Sequence, residues 1–356
     1  MIEQSKSANW LDSITLGKYP LVIAGPCSAE TQQQLLDTAS QIKSTPTVIY
    51  RAGIWKPRTR PGGFEGVGEI GLKWLQKVKE QNNFLVATEV ATPTQIKLAL
   101  EYDVDVLWIG ARTAVNPFAL QDIADTLKGT DKIVLLKNPV NPDLSLWLGG
   151  VERLQQADIK NIGVIHRGFS TYEKTKYRNI PEWQIAIDFK TKMPDIPMII
   201  DPSHISGNRN LVFEIAQQAL NLNYQGLMIE THIDPDNAWS DAPQQVTPHY
   251  LKQILEQLII PKRTDSTVDF NYSLNLLRTQ IDQLDQKLLE VLVQRMILSS
   301  KIGEIKKEKN VAILQEKRWS QILNNMIENA KQKGLNQDFV EELFKLIHQE
   351  SINCQQ

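Results

Sequence analysis

The sequence predicts an α/β fold, a (β/α)8 or TIM barrel, followed by an all-α domain of three helices. Eight short apolar runs in roughly the first 250 residues each end near a polar residue able to do chemistry. Amphipathic stretches of helical length separate most of these runs, as expected for parallel strands that are buried on both faces. From Asn271 to Gln356 there is no proline and only two glycines, which predicts helix throughout.

Each predicted strand runs from the N-terminal end of the barrel to its C-terminal rim. They are Leu21–Ala24 before Cys27, Val48–Tyr50 before Arg51, Leu85–Ala87 before Glu89, Val104–Ile109 before Arg112, Ile133–Leu136 before Lys137, Ile162–Ile165 before Arg167, Met198–Ile200 before His204 and Leu227–Ile229 before Glu230. Because active sites of such barrels lie at the C-terminal ends of the strands, these polar residues are the first candidates for catalysis.

The strand–helix alternation ends near Leu258, where a proline and a polar run interrupt the pattern. We therefore predict a barrel domain over residues 1–260, a linker over 261–270 and a helical domain over 271–356. Within the helical domain the pattern predicts helices near Tyr272–Lys309, Gln315–Gln332 and Gln337–Asn353.

Composition narrows the class of protein. The 356 residues include 39 Lys+Arg and 41 Asp+Glu, a net charge of -2, so nothing global attracts nucleic acid or an anionic membrane. No apolar stretch approaches the roughly 20 residues that span a bilayer, and the N-terminus lacks the apolar core of a signal peptide. Cys27 and Cys354 do not form a disulfide framework. We expect a cytoplasmic enzyme with no nucleic-acid or membrane partner.

Side chains at the end of the predicted barrel offer metal ligands. The segments Asp201-Pro-Ser-His204, Ile229-Glu230-Thr-His232 and Trp239-Ser-Asp241, together with Cys27, supply a thiolate, an imidazole and two carboxylates at neighbouring rim positions, because the first and eighth strands are adjacent in a closed barrel. Such a mixed donor set suits a divalent transition metal better than calcium or magnesium. The alternative is a buried structural cysteine beside a helix cap formed by Asp201-Pro-Ser-His204.

A second group at the rim is cationic. Basic side chains on the same rim as metal ligands indicate an anionic substrate with more than one phosphate or carboxylate. The alternative, solvated surface cations, predicts no preference for strand ends. The cations are Arg51, Lys56, Arg58, Arg112, Lys137 and Arg167.

One motif points elsewhere. Gly66-Val-Gly-Glu-Ile-Gly71 fits the G-x-G-x-x-G pattern, with Glu89 near the acidic position of a dinucleotide fingerprint. That fingerprint must follow directly on a strand, whereas this segment follows a loop of more than ten residues. We therefore do not predict a dehydrogenase.

The barrel residues resemble one enzyme family. The segments Ala24–Ser28, Arg51–Gly53, Lys56–Thr59, Gly66–Leu72, Asp201–His204 and Glu230–His232 are similar to the short-form (type I-beta) 3-deoxy-D-arabino-heptulosonate 7-phosphate (DAHP) synthases, over roughly residues 15–258. The resemblance implies a metal held by Cys27, His204, Glu230 and Asp241, with Mn2+ expected and Fe2+, Co2+ and Zn2+ as alternatives.

The resemblance also assigns the cations. Phosphoenolpyruvate would contact Arg51, Lys56, Arg112, Lys137 and Arg167, and the aldehyde phosphate would contact the loop of Lys56, Pro57, Arg58 and Thr59. Lys56, Lys137 and Glu89 would be catalytic, and the group that activates water stays open between Glu89, Lys137 and a water on the metal. Arg60 and His166 depart from the family pattern. A related synthase of an eight-carbon sugar acid, 3-deoxy-octulosonate 8-phosphate, is the alternative, but Lys-Pro-Arg-Thr favours erythrose 4-phosphate over arabinose 5-phosphate.

The long helix of the tail has a seven-residue apolar repeat, which predicts packing against another helix or a second chain. Arg295 interrupts one column and needs an anion nearby. Lys306, eleven residues on, faces the same side, whereas Arg278 points about 100° away. The columns are Leu274, Ile281, Leu288, Arg295 and Ile302, and Leu277, Leu284, Val291, Leu298 and Ile305. The alternative is a dimerisation coiled coil in which Arg295 sets the register.

Over about residues 270–356 the tail resembles the all-helical (AroQ-class) chorismate mutases. The similar segments are Leu276–Arg278, Ile281–Leu289, Arg295, Ile302–Lys306 and Leu343–Gln355. The resemblance implies ligand positions at Arg278 (from a neighbouring chain), Arg295, Lys306, Arg318 and Gln355, and hence a homo-oligomer, at least a dimer through this domain. Gln315 replaces a common aspartate. Trp319 replaces a glutamate that holds the substrate's ring hydroxyl, so we expect weakened binding of that hydroxyl.

Together the two resemblances imply a bifunctional enzyme of aromatic amino acid biosynthesis. The barrel would condense phosphoenolpyruvate with erythrose 4-phosphate to DAHP, the first step of the shikimate pathway, and the tail would convert chorismate to prephenate. Chorismate or prephenate would inhibit the synthase by feedback. The alternative for the tail is a non-catalytic dimerisation or effector-binding module.

Overall fold

The structure, a computed structural model, describes residues 10–16, 19–57, 62–172, 174–261 and 268–356, with side chains in the last range described from residue 274. Contacts between Cα atoms divide the chain into two compact units, Met1–Arg263 and Thr264–Gln356. Residues 262–267 of the predicted linker lie outside the described residues. No helix among the described residues is long and apolar enough to cross a membrane.

The first unit is a closed barrel of eight parallel strands in sequence order, which confirms the predicted fold class. The first and last strands close it through five residue pairs, from Leu21 opposite Gly226 to Gly25 opposite Glu230. The strands are β1 Leu21–Gly25, β2 Ile49–Arg51, β3 Leu85–Val90, β4 Val106–Ile109, β5 Ile133–Lys137, β6 Ile162–His166, β7 Met198–Ile200 and β8 Gly226–Glu230.

Helices cover the outside of the barrel. Several begin at a side chain that accepts a hydrogen bond from the first turn, as Thr92 and Asn116 do, with proline directly after the cap. The helices of this unit are α1 Trp10–Thr15, α2 Gln32–Ile42, α3 Ile70–Asn82, α4 Pro93–Glu101, α5 Pro117–Leu127, α6 Leu144–Gln156, α7 Trp183–Lys192, α8 Pro202–Ser206, α9 Val212–Asn221 and α10 Pro248–Gln257.

The core of the barrel has two layers. Inward-facing strand residues such as Ile23, Trp108 and Ile199 fill the barrel itself, and Trp10 and Leu11 of α1 pack against this inner layer. Trp10 donates from Nε1 to the carbonyl of Ile162, the first residue of β6, at 2.9 Å. The larger outer layer lies between strands and helices. Close packing of both layers holds the strand ends that form the rim in fixed positions.

The glycine-rich segment 66–71 comprises the end of the loop before α3 and the first two residues of that helix, and it follows no strand directly, as predicted. A Cβ atom on Gly71 would lie 2.5 Å from Cγ2 of Ile54, so this glycine lets α3 pack closely on the barrel. The motif therefore has a packing role.

The second unit consists of α11 Val268–Glu308, α12 Glu316–Gln332 and α13 Gln337–Asn353, which confirms the three-helix prediction. Its buried apolar side chains, within the described range, are those of Ala330 and Val340 alone. Leu284, Val291 and Leu298 of the predicted columns are each more than half exposed. As a single chain, this unit leaves most of its apolar surface uncovered.

Candidate active site

Three of the four predicted metal ligands meet at the barrel rim. The ligand atoms of Cys27, Glu230 and Asp241 all lie within 4.8 Å of one another, and Sγ of Cys27 is 3.3 Å from Oδ2 of Asp241. Glu230 ends β8, directly opposite Gly25 of β1, and Cys27 follows two residues later. At the φ of +143° that Gly25 adopts, a Cβ atom would lie 2.1 Å from the carbonyl oxygen of Arg51. Glycine is therefore required where the first two strands end.

His204 joins this group from α8. Its Nε2 atom lies 3.7 Å from Oε1 of Glu230, and its Nδ1 atom lies 2.8 Å from Oδ2 of Asp201. Asp201 also caps α8, accepting from the backbone N–H of His204 at 3.1 Å. The Asp-Pro-Ser-His segment is thus both a helix cap and a support for the imidazole, so the two readings of this motif are compatible.

The electrostatics of the cluster fit a cation. Burial and the charge of Glu230 raise the pKa of Cys27 to about 12. Burial also works to raise the pKa of Glu230, but the charges of His204 and Arg51 outweigh it and hold that pKa below its ordinary value. A buried thiol beside two ionised carboxylates becomes a thiolate when a positive ion binds among them. The S, N and O donors suit a divalent transition metal.

Several residues that orient these ligands were not predicted. Nε2 of Gln244 donates to Oε2 of Glu230 at 2.6 Å, and Nη1 of Arg178 donates to Oδ1 of Asp241 at 2.9 Å and to Oε1 of Gln244 at 2.7 Å. Arg178 lies in the loop after β6, and Gln244 ends a short 3-10 helix after β8. Neither residue ends an apolar run, so no sequence pattern marks them.

Two of the predicted cations are buried next to the metal ligands. Arg51 forms an ion pair with Glu230 at 2.9 Å and Lys137 forms one with Asp201 at 2.9 Å. Nε of Arg51 is buried and has no hydrogen-bond partner among the described residues. Arg51 also donates from Nη2 to the carbonyl of Cys27 at 3.2 Å, so that its Nε–H is available to an incoming anion.

The indole of Trp108 links these cations to Glu89. The guanidinium of Arg51 lies 4.7 Å from the ring centroid and the Lys137 ammonium lies 5.9 Å from it. Nε1 of Trp108 donates to Oε2 of Glu89 at 3.1 Å. Glu89 is therefore placed at the same rim. Trp108, which lies within the apolar run Val104–Ile109, is a further residue of this site.

The other predicted cations approach from the loops. Nζ of Lys56 donates to the carbonyl of Cys27 and lies 3.1 Å from its Sγ. Arg167 donates to Oδ1 of Asn179 at 2.7 Å, and burial, opposed by Asp201 and assisted by Arg178 and Arg112, lowers its pKa to about 10. Arg112 and Pro57 are exposed. Arg58 and Thr59 lie outside the described residues.

A second polar cluster lies between α11 and α13 of the helical unit. Nη1 of Arg295 donates to Oγ of Ser351 and, at 3.5 Å, to the carbonyl of Ile347. Nζ of Lys306 donates to Oε1 of Gln355 at 3.1 Å and to the carbonyl of Ile313. Burial lowers the pKa of Arg295, which has no carboxylate partner among the described residues. Three predicted residues are thus brought together, with Ser351 as an addition.

The remaining predicted residues of this unit lie apart from the cluster. Arg278 and Arg318 are exposed, and Arg278 is about 25 Å from Arg295 along the same helix. Trp319, the departure noted in the sequence, stacks flat on His348 with ring centroids 3.9 Å apart and an interplanar angle of 4°.

Comparison with known proteins identifies both units. Residues 4–263 match the model of the DAHP synthetase I family, and residues 277–356 match that of chorismate mutase type II. A phospho-2-dehydro-3-deoxyheptonate aldolase from Thermotoga maritima is 31% identical over 249 residues, which cover 70% of this chain and 72% of that protein. A 2-dehydro-3-deoxyphosphooctonate aldolase from Synechococcus sp. (strain WH7803) is 27% identical over 269 residues, 70% of this chain and 92% of the other.

A solved structure agrees with the sequence comparison. The crystal structure of the Thermotoga maritima DAHP synthase superposes with a TM-score of 0.61 at 29% identity, covering 68% of each chain. Members of this family are typically metal-dependent, and the Cys/Glu/Asp cluster at the rim is a candidate metal site. The chain therefore belongs to the DAHP synthetase I family and carries, after that domain, a chorismate mutase domain of type II, so that it combines both enzyme activities.

Proposed function

We propose that the barrel condenses phosphoenolpyruvate with erythrose 4-phosphate and that the helical unit converts chorismate to prephenate, in a cytoplasmic enzyme with domains over residues 1–260 and 271–356. The observation that carries the barrel's assignment is the buried ligand set Cys27, Glu230 and Asp241 beside two buried cations, Arg51 and Lys137. Such a site offers Lewis acidity and anion binding within one rim.

Cys27, His204, Glu230 and Asp241 would hold the metal, with Mn2+ as the expected ion. A divalent ion held by these residues would supply Lewis acidity for the aldehyde group of the sugar phosphate, without a proton donor. Arg178 and Gln244 orient the two carboxylates, since each donates a hydrogen bond to a ligand side chain. Outer hydrogen bonds of this kind set ligand orientation in metal sites.

The cations would position phosphoenolpyruvate. Arg51 and Lys137 both lie near the ring of Trp108, with Arg167 as a further cation, and together they would offset the charge of the phosphate and the carboxylate. Arg112, Lys56 and the Pro57–Thr59 segment complete the anion-binding loops. Holding two mutually repelling phosphates in register is the main task of these residues.

The reaction balances without a redox partner. The methylene carbon of phosphoenolpyruvate forms a bond to the aldehyde carbon as its C=C π bond breaks, and water adds at C2. One proton of that water goes to the aldehyde oxygen. The C2–O bond then breaks, so that inorganic phosphate leaves with its bridging oxygen and the second proton, and C2 becomes a ketone. Glu89 is better suited than Lys137 to accept the proton of that water, because Lys137 is held as a cation by Asp201 at 2.9 Å.

The test of the barrel's assignment measures phosphoenolpyruvate loss with each aldose phosphate, with and without EDTA. We expect turnover with erythrose 4-phosphate, loss of that turnover in EDTA and restoration by Mn2+. Preference for arabinose 5-phosphate would instead assign the eight-carbon sugar acid synthase, and turnover that persists in EDTA would exclude the proposed metal site.

For the mutase, we propose that Arg295, Arg318 and the Arg278 of a neighbouring chain hold the two carboxylates of chorismate, and that Lys306 and Gln355 contact its ether oxygen. A Claisen rearrangement needs a compact conformer and donors where negative charge develops, and it needs no nucleophile. Arg295→Ala should lower chorismate turnover by orders of magnitude while the synthase rate stays unchanged. Near-normal turnover in this variant would favour the alternative in which Arg295 only sets helix register.

The exposed columns of α11 support a homo-oligomer. Leu277, Leu284 and Val291 are each more than half exposed in a unit that buries little apolar surface. Large uncovered apolar surfaces of this kind are typical of interfaces. Leu284→Lys should reduce the oligomer measured by light scattering, and Gln286→Lys, an exposed neighbour outside both columns, should leave it unchanged. If Leu284→Lys and Gln286→Lys both keep the oligomer mass of the unchanged protein, this interface is contradicted.

A further inference from the structure

The aromatic pair of the helical unit contains a polar atom without a partner. Trp319 of α12 and His348 of α13 stack almost parallel, with centroids 3.9 Å apart. Nε2 of His348 is buried and has no hydrogen-bond partner among the described residues. A buried polar atom in this state costs free energy unless a ligand or water satisfies it.

His348 lies on the same side of α13 as Ser351 and Gln355, which belong to the polar cluster with Arg295 and Lys306, called here the mutase cluster. Ser351 and Gln355 follow it by three and seven residues, the spacing of one face of a helix. Ser351 contacts Arg295, and Gln355 contacts Lys306 at 3.1 Å. Burial, with the nearby charges of Arg295 and Lys306, lowers the pKa of His348. The imidazole is therefore neutral at physiological pH and offers one N–H donor and one acceptor.

The groups of the substrate can be matched to those of the site. Chorismate carries two carboxylates, an ether oxygen and one ring hydroxyl. The charged residues Arg295 and Lys306 suit its anionic groups and the ether oxygen, where negative charge develops. A neutral hydroxyl is better matched by a neutral imidazole, which can donate to it or accept from it without the desolvation cost of another charge.

We propose that His348 binds the ring hydroxyl of chorismate through Nε2, and that Trp319 holds the imidazole in place by stacking on it. This inference rests on the proposed mutase function. The flat contact fills the space beside the imidazole and restricts its rotation, so that Nε2 keeps one position. Trp319 then supports recognition of the hydroxyl, contrary to the weakened binding expected from the sequence.

The test is a double-change cycle, in which the side chain of residue 348 and the hydroxyl of the ligand are removed separately and together. His348→Phe keeps an aromatic ring for the stack and removes Nε2. Inhibition constants are measured with two bicyclic diacid ethers that mimic the rearranging conformer, one with the ring hydroxyl and one without it. We expect the unchanged protein to prefer the hydroxylated inhibitor about tenfold, the size of one neutral hydrogen bond, and the variant to lose that preference.

Two further measurements separate recognition from folding. Trp319→Phe keeps a stacking ring and should retain most of the preference, and the helical circular dichroism of each preparation reports whether the helical unit is folded. Equal preference in the unchanged protein and in His348→Phe, or no preference in either, would overturn the assignment of His348. Failure of the unchanged protein to convert chorismate would instead overturn the mutase function itself.

Discussion

At the scale of single residues, Cys27 is the thiol on which the proposed metal site depends. Cys27→Ala removes one donor from the cluster with Glu230 and Asp241, so it should lower synthase activity as strongly as chelation does and leave the mutase intact. Cys354→Ala is the matched control, since that half-buried thiol lies at the end of α13, in the other unit. Normal synthase activity of Cys27→Ala in EDTA would contradict the assignment.

His166 makes stability depend on pH. It is fully buried, with Nδ1 2.8 Å from Oη of Tyr224 and Nε2 2.6 Å from the carbonyl of Pro181. Burial lowers its pKa from 6.5 to about 4, against the hydrogen bond to Pro181. Below pH 6.5 the unfolded chain binds a proton that the folded chain does not, so stability present above that pH is lost as the pH falls towards 4.

The loss attributable to His166 should reach about 2 kcal/mol at about pH 5. Urea unfolding at about pH 7 and about pH 5 measures it, and His166→Gln should show a smaller decrease between the two conditions. If the free energy of unfolding falls equally in both proteins, groups other than His166 cause the loss between about pH 7 and about pH 5.

The residues that could be predicted are those that end strands. Glu230 and Lys137 follow apolar runs, and closure of the barrel brings such positions together whatever their separation in sequence. Trp108, Arg178 and Gln244 could not be found in this way. Trp108 is part of an apolar run, although its Nε1 atom donates to Glu89. Arg178 and Gln244 lie in connecting segments whose course depends on partners far along the chain.

At the scale of helices, Gly303 sets how closely α11 and α13 approach at the mutase cluster. A Cβ atom there would lie 2.7 Å from Cα of Gln355 and 2.8 Å from its carbonyl oxygen. Gly303→Ala should therefore displace the backbone that carries Gln355 and lower mutase kcat/KM by about tenfold or more, since misplacement by about 1 Å costs that much or more. The synthase rate should not change.

Gly149→Ala in α6 is the matched control for this change. A Cβ atom on Gly149 meets nothing within 4 Å, so alanine should stabilise the helix by up to about 1 kcal/mol. Thermal unfolding and both activities should be measured for the two variants. Unchanged mutase kinetics in Gly303→Ala would show that α13 can move away without disturbing the site.

The bounds of most helices and strands could be predicted from periodicity and caps. The predicted bounds are wrong where a strand enters the active site. The second and third tail helices, Glu316–Gln332 and Gln337–Asn353, lie within one residue of their predicted ends. β3 continues to Val90, although its apolar run stops at Ala87. Thr88 and Glu89 pair with β4 as strand residues, and they are polar because the strand enters the active site there.

At the scale of the whole molecule, the chain joins two activities that are not consecutive. Transfer of an intermediate from one site directly to the other therefore does not account for the fusion. Feedback would account for it, because the ligands proposed for the helical unit are formed downstream of the step proposed for the barrel. We propose that chorismate or prephenate, bound at the cluster of Arg295 and Lys306, inhibits the synthase with a coupling of about 1–3 kcal/mol, or about 5- to 150-fold.

This coupling should depend on Arg295. In the unchanged chain, prephenate should lower the synthase rate, and Arg295→Ala should abolish that inhibition while the uninhibited rate stays the same. Because coupling between binding sites is reciprocal, phosphoenolpyruvate should change the affinity for prephenate by the same factor as prephenate changes the affinity for phosphoenolpyruvate. Calorimetric titrations with and without the second ligand measure both factors. Inhibition of equal strength in Arg295→Ala would place the sensor outside the cluster of Arg295 and Lys306, and unchanged affinities in both titrations would exclude a coupling between the two sites.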